Sequence, residues 1–535
     1  MFCEDTLDIF PTIKTSGNLE KQSKSNTIYP NQGPGTNKMA TQHQTSEEKF
    51  NEIKANIEST QRTSTKQTQA ELIVEAETTL VQLPSHASHF NKIELSPYDL
   101  SSLGRSIPML WCYSDNLDTD KLISSLTKLL LFHPVLCGRY DGTTPPKWLV
   151  CNNAGVPVRV TTWNDANATV QVACQHLPTT SAFTTFPLHQ HAPFVPDKQD
   201  MDPDTMSPAA PLFKVKITCF PKGGTSIGVL VQHGVLDAEA IIALMCNWSR
   251  VYRGMGLDPI PNHNRCSSLC ALEKGSMTPS TDASNEWSST STFHSVPVAE
   301  KQPPEFVGQM PTIMGNPAEC VAGVVPVKQT LLSEWKEAAN EHLSNGLYCS
   351  TDDILTARTW QALTTMRVGQ LGIAADSAQT TTLSRAFNVR TRTAPPLGPC
   401  YFGNATTGVR TSMSVKDLLK STPAAIALRL RADINHTTPE MIAVRATWLT
   451  EQYAKGNAVT PVYDDKALTF IVSSWNFSWE QVEFDSVPIS YDHGCIVPIV
   501  AVIVPRKVQE GGGMQVYVSG PNEEDMAIFA ERVLG

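Results

Sequence analysis

The chain has 535 residues, long enough for two large domains or several small ones and too long for a disulfide miniprotein. Lys plus Arg (42) against Asp plus Glu (52) leaves a net charge of −10, with only 18% of residues charged, so a polyanion grip through bulk charge is excluded and no nucleic acid partner is expected. Hydrophobic residues make up 41%, enough for a sizeable core, while the longest nearly apolar run, Cys495 to Pro505, is too short to span a bilayer. The opening Met1-Phe2-Cys3-Glu4-Asp5 has early acids and no hydrophobic stretch behind it, which argues against a signal or transit peptide and gives the cytoplasm as the expected location. Thirteen scattered cysteines then read as reduced thiols, with no disulfide expected.

Residues 1–70 hold 30 Ser, Thr, Asn or Gln and only four aromatic residues, Phe2, Phe10, Tyr29 and Phe50. Such a stretch cannot bury enough apolar area to offset an ordering cost of about 1–2 kcal/mol per residue, so a disordered polar tail is expected. Its eight acids balance its eight basic residues, so it is not an electrostatic arm. A second break, rich in Ser, Thr and Pro, runs from Cys266 to about residue 310 and reads as an exposed crossover linker. It leaves an N-terminal domain over 71–265 and a C-terminal domain over 311–535, each the size of a mixed sheet-and-helix unit.

In the first of these, Leu212 to Phe220 alternates like a half-buried strand, Gly223-Gly224 turns the chain, and Ser226 to Val231 returns. Ile241, Leu244, Met245 and Trp248 follow at helical spacing. His233-Gly-Val-Leu-Asp237 is the joint between strand and helix. In the second, a helix over Leu331 to Leu343 carries Lys336, and Ser350-Thr-Asp-Asp353 has the spacing of a helix start. Ile496 to Val504 and Met514 to Val518 make a hairpin around Gly511-Gly-Gly, and a helix over Asn522 to Val533 closes the chain. The interspersed strands and helices give an α/β class (α+β mixed sheets).

An imidazole just past a strand end suits a general base at neutral pH, so His233 is the leading chemical candidate, and Asp237, four positions on, is better suited to bracing the loop against a cation. His189, His191, and His263 near Cys266 and Cys270 lack a four-ligand spacing, so no metal site is expected. The chain has no GxxxxGK[ST] run, which removes the P-loop reading.

The His233 to Asp237 segment resembles the HxxxD motif of the BAHD acyltransferases, and further segments fall in that family's order. Leu95-Ser-Pro-Tyr-Asp99 is similar to its LSPLD stretch and Ser350 to Ala357 to STNDVLTA. Asn388-Val-Arg-Thr-Arg392 resembles the RSR element, Tyr401-Phe-Gly-Asn404 resembles YFGN, and Gly512 to Ser519 resembles the late GGIEVWVS strand. The resemblance implies two chloramphenicol-acetyltransferase-like domains with an interdomain channel. It also implies an acyl-CoA co-substrate with no permanently bound cofactor, a small-molecule hydroxyl or amine as acceptor, and a monomer. His233 becomes the base, Arg390 the cation that braces Asp237, and Ser473 and Trp475, in a segment similar to TSW, the donors to the oxyanion. Lys336 and Arg392 are candidates to face the CoA phosphates. Two features depart from the family pattern. Ala238 stands where glycine is usual, and Glu483-Phe-Asp-Ser-Val487 keeps only the phenylalanine of DFGWG. These departures keep a catalytically silent ligand-binding homologue open, as does the shared fold a condensation-type enzyme fed by a carrier protein.

Overall fold

The computed structural model describes residues 73–84, 91–175, 183–187, 194–196, 206–265, 293–297, 320–341, 343, 347–461, 467–494 and 500–535. The polar tail over 1–70 lies outside the described residues, together with His189, His191, Cys266, Cys270 and most of the expected linker. Within that linker, Phe293–Pro297 forms a strand paired with Asn457–Pro461, so part of the crossover is regular structure.

Two mixed sheets carry the fold. Six strands make the first, in the spatial order Ile73–Val81, Val156–Trp163, Phe213–Cys219, Thr225–Gln232, Ser106–Tyr113 and Ser490–His493. Seven make the second, in the order Thr406–Ser414, Thr380–Asn388, Thr469–Ser474, Val500–Pro505, Met514–Gly520, Val321–Val327 and Thr184–Pro187. Each sheet thus takes an edge strand from the other half of the chain: Ser490–His493 pairs with Ser106–Tyr113, and Thr184–Pro187 pairs with Val321–Val327. The division at residues 266–310 is one of sequence, and the two sheets are built across it.

The core follows the same exchange. Trp475, Trp479, Val482, Phe484 and Tyr491 of the second half pack into one apolar cluster with Trp111, Tyr113, Val229 and Trp248 of the first. The Trp111 indole donates to the Trp479 carbonyl at 3.2 Å and the Tyr113 hydroxyl to the Val482 carbonyl at 2.8 Å, so the polar tips of both rings are satisfied where the halves meet. Phe484, the residue kept from the late family element, is fully buried edge-on to Tyr113, Trp248 and Tyr252. Its altered neighbours have found other partners: Glu483 pairs with Arg253 at 2.9 Å and Asp485 accepts from the Tyr252 hydroxyl at 2.6 Å.

The hairpin before His233 forms as expected, Phe213–Cys219 against Thr225–Gln232, with Gly223 and Gly224 at φ 126° and 98° in the turn. A side chain at Gly224 would also sit 2.4 Å from Val170. The expectation of a half-buried strand is corrected: Lys214 and Lys216, on the alternate face, are buried as well. A second layer containing Trp163, Phe194 and Phe220 covers that side of the sheet. The helix expected over 331–343 spans Gln329–Asn340 instead. It stops there because the Asn340 side chain accepts from Cys349 N–H and donates to the Cys349 carbonyl, drawing the following chain back across the helix end. The Thr351–Leu371 helix starts in a full capping box between Ser350 and Asp353, and the last helix, Glu523–Leu534, is capped by Asn522. Among the described residues no helix is long and apolar enough to cross a membrane.

One contact between the halves is titratable. His133 is buried against Phe402 and His263, with ring centroids 4.3 and 5.4 Å away, and neither of its nitrogens has a hydrogen-bond partner among the described residues. Burial holds the His133 ring well below its ordinary 6.5, with His263 adding to the effect, and burial pushes His263 down to about 4. The folded protein keeps both rings neutral, whereas an unfolded chain takes up protons below 6.5. Stability from these groups is therefore complete above pH 6.5 and is lost as pH falls toward 4. His133→Phe should flatten the decline in melting temperature between about pH 6.5 and 4.5, read by scanning calorimetry. An unaltered slope would remove His133 as a cause.

Candidate active site

The backbone fixes His233 before any side chain does. At the end of Thr225–Gln232 the His233 N–H donates to the Arg105 carbonyl at 2.7 Å, extending the ladder by one residue, and Val235 N–H then closes a turn onto Gln232 at 2.8 Å. Gly234 makes the turn possible, since a side chain there would meet Leu103 and the Tyr140 hydroxyl, both at 2.7 Å. Asp237 ends the loop as the cap of Ala238–Tyr252, its Oδ1 accepting from Ala240 N–H at 3.0 Å. Ala238 is the first helical residue and has no left-handed φ, so a methyl group in place of the usual glycine is accommodated by helical geometry.

Asp237 and Arg390 meet as a two-pronged ion pair, Nη1 to Oδ2 at 2.9 Å and Nη2 to Oδ1 at 2.8 Å, both side chains about 95% buried. Oδ2 also accepts from Ala405 N–H at 2.9 Å and the Thr406 hydroxyl at 3.2 Å, while Arg390 donates to the Gly403 carbonyl and reaches Glu239 at 3.3 Å. Burial alone would raise the Asp237 carboxyl, but Arg390 and the two backbone N–H groups outweigh it and hold it below its ordinary 3.8. The pair therefore pins the first-half loop to the 388–406 segment of the second half.

His233 itself is half-buried. Its Nδ1 lies 3.1 Å from Oδ1 of Asn404. The orientation of that amide follows from its other partners: Nδ2 faces the Asp99 carboxylate at 2.8 Å and the His233 carbonyl at 2.7 Å, and both can only accept. The amide nitrogen must face them, so its oxygen faces the ring, Nδ1 must carry the proton, and the lone pair is on Nε2. Nε2 has no hydrogen-bond partner among the described residues. Burial and the Arg105 cation lower the ring to about 4, so it is neutral at pH 7.

The sequence places Asn404 and Asp99 within motifs but assigns neither a role. No spacing rule could have joined residues 171 and 305 positions from their partners. Ser473 and Trp475 are coupled to each other rather than set side by side: the Trp475 indole N–H donates to Ser473 Oγ at 2.9 Å. That bond occupies the indole proton and leaves the Ser473 hydroxyl proton available. Trp475 is held by stacking on Trp479 and by packing on His493. Among the described residues no hydrogen bond joins this pair to His233. Lys336 is exposed on the Gln329–Asn340 helix, and the Arg392 guanidinium lies 4.8 Å over the Phe387 ring; neither shares a bond with the His233 cluster. Among the described residues no cluster of His, Cys, Asp and Glu could hold a metal ion.

Known proteins resemble the chain over the same span. It is 24% identical to tryptamine hydroxycinnamoyltransferase 2 of Oryza sativa subsp. japonica over 435 residues, covering 78% of this chain and 88% of that protein. It is 21% identical to tryptamine benzoyltransferase 1 of the same plant, covering 82% and 91%. Its fold matches the crystal structure of F. sporotrichioides TRI101 complexed with coenzyme A and T-2, with a TM-score of 0.60 at 20% identity over 82% of this chain and 96% of that one. The sequence model of the Transferase family matches residues 72–533, so both sheets and the whole His233 loop fall inside it, and this chain belongs to that family, the BAHD acyltransferases.

Proposed function

We propose that this acyltransferase moves an acyl group from a CoA thioester to the hydroxyl or amine of a small molecule, with His233 as general base. The observation that carries this reading is the half-buried imidazole whose only lone pair is on Nε2. Nε2 takes the acceptor's proton as its oxygen or nitrogen attacks the thioester carbonyl; a tetrahedral oxyanion forms; the carbon–sulfur bond then breaks and the thiolate of CoA leaves with a proton. The Ser473 hydroxyl is the proposed donor to the oxyanion, and Trp475 acts through it by occupying one of the serine oxygen's two lone pairs. Lys336 and Arg392 are the proposed contacts for the CoA phosphates. A CoA donor agrees with the coenzyme A bound by TRI101, and an amine acceptor with the tryptamine in two relatives' names. A silent binding protein loses its two supports, because Ala238 is unstrained and the 483–487 loop is packed by its own contacts.

Mixing the protein with a panel of acyl-CoAs and amine or alcohol acceptors should release free thiol, followed with a chromogenic reagent. Acceptor-dependent release only from a pantetheine-loaded carrier protein would point to the condensation-type enzyme, and no release from any pair would sink the reading. His233→Ala should slow turnover by about 10² to 10⁴. Because the ring's pKa is lowered to about 4, kcat/KM should stay level from pH 7 to below pH 5.5 instead of falling by half near 6.5.

Ser473→Ala should cost about 10² to 10³ in kcat, and Trp475→Phe distinctly less, since only the bond to the serine is lost. Equal losses would mean that the indole touches the oxyanion itself.

Arg390→Ala leaves the Asp237 charge buried without its partner and should destabilise the protein by about 3–5 kcal/mol, measured by urea unfolding. A variant of unchanged stability and full turnover would show that the brace is dispensable.

A further inference from the structure

Behind the His233 ring lies a second buried ion pair. Asp99 is fully buried in the short helix Pro97–Leu100, and the equally buried Arg265 places Nη1 3.1 Å from its Oδ2. The two carboxylate oxygens divide their work. Oδ2 accepts from Ser96 N–H at 2.9 Å as part of the helix cap and faces Arg265. Oδ1 accepts twice from one residue, from Asn404 N–H at 3.0 Å and Asn404 Nδ2 at 2.8 Å. Beyond that amide is His233 Nδ1.

We propose that Asp99, held against Arg265, is a positioning residue for His233: together with the His233 carbonyl it sorts the two ends of the Asn404 amide and so biases which ring nitrogen keeps the lone pair. A carboxylate has no proton to offer, so Asn404 can present only its NH2 to Asp99 and only its oxygen to the ring. Turning the amide over would set oxygen against carboxylate at 2.8 Å, and oxygen against the His233 carbonyl at 2.7 Å. The arrangement resembles the use of a third group to orient a histidine base in hydrolytic triads, with the charge moved one residue back. A neutral amide touches the ring, and the carboxylate acts through it. The charged groups around the ring are Arg105 across the ladder, Asp237 in its own loop with Arg390 and Glu239 on it, and Asp99 with Arg265 behind Asn404.

This inference rests on His233 being the base, yet it can be tested without turnover. In protein labelled with 15N-histidine, the His233 signals, identified by their loss in His233→Gln, report which nitrogen is protonated. Wild-type protein should show the proton on Nδ1. Asp99→Asn replaces a strict acceptor by an amide and leaves the His233 carbonyl as the one strict acceptor still holding Asn404, so a share of the proton should move to Nε2. With that move kcat should fall about 2- to 10-fold, while KM for the acyl-CoA stays within about threefold, a split that general loosening of the site would not give. A folded Asp99→Asn protein that keeps its proton on Nδ1, or keeps its wild-type kcat, overturns the proposal. Should that variant fail to fold, the wild-type spectrum decides: a proton on Nε2 overturns the proposal, and one on Nδ1 upholds it. If no acyl-CoA gives thiol release while Asp99→Asn still moves the proton, the positioning role stands and the transferase chemistry falls.

Discussion

A single carboxylate, that of Asp237, connects the parts of the molecule that must not move relative to one another. It caps the helix after His233 through Ala240, receives both prongs of Arg390, and accepts from Ala405 and Thr406. Burying such a charge is expensive, and the expense is met only when every lone pair has a donor. Here the donors come from both halves of the chain, so the charge is satisfied only when the His233 loop and the 388–406 segment are in register. The sequence distance between the His233 loop and Arg390 is thereby converted into a fixed geometry.

The exchange of edge strands acts in the same direction over a larger area. Because Ser490–His493 completes the first sheet and Thr184–Pro187 the second, neither sheet can shift without breaking main-chain hydrogen bonds to the other half. Trp479 and Phe484 then fill the first half's core from the second. A site built where two sheets share strands and core gains the rigidity that a pair of domains joined only by a linker would lack.

The electrostatics around His233 keep its ring neutral at pH 7 even with Asp237 in the same loop. Burial and Arg105 disfavour the imidazolium, and the group in contact with Nδ1 is an amide. Asp99 and Arg265 cancel within their own buried pair, so the orienting charge reaches the ring as a direction and hardly as a field. Trp475 stands in a similar relation to Ser473, spending its N–H on the hydroxyl oxygen so that the hydroxyl proton points elsewhere.

Local signals in the sequence were enough for the elements and for the loop. The hairpin at 213–232 was legible from its alternation and its Gly-Gly turn and the Thr351–Leu371 helix from its capping box; these depend on neighbours a few positions away. Order among the motifs was enough for the family. The end of the Gln329–Asn340 helix, the burial of Lys214 and Lys216, the traded strands, the division of labour between Ser473 and Trp475, and the path from Asp99 through Asn404 to His233 all required the fold. Each depends on groups far apart in the chain that meet only in space, and hydrogen-bond direction between such groups leaves no periodic trace in the sequence. The residues determined which side chains were at hand, and tertiary packing decided which nitrogen of the His233 ring keeps its lone pair.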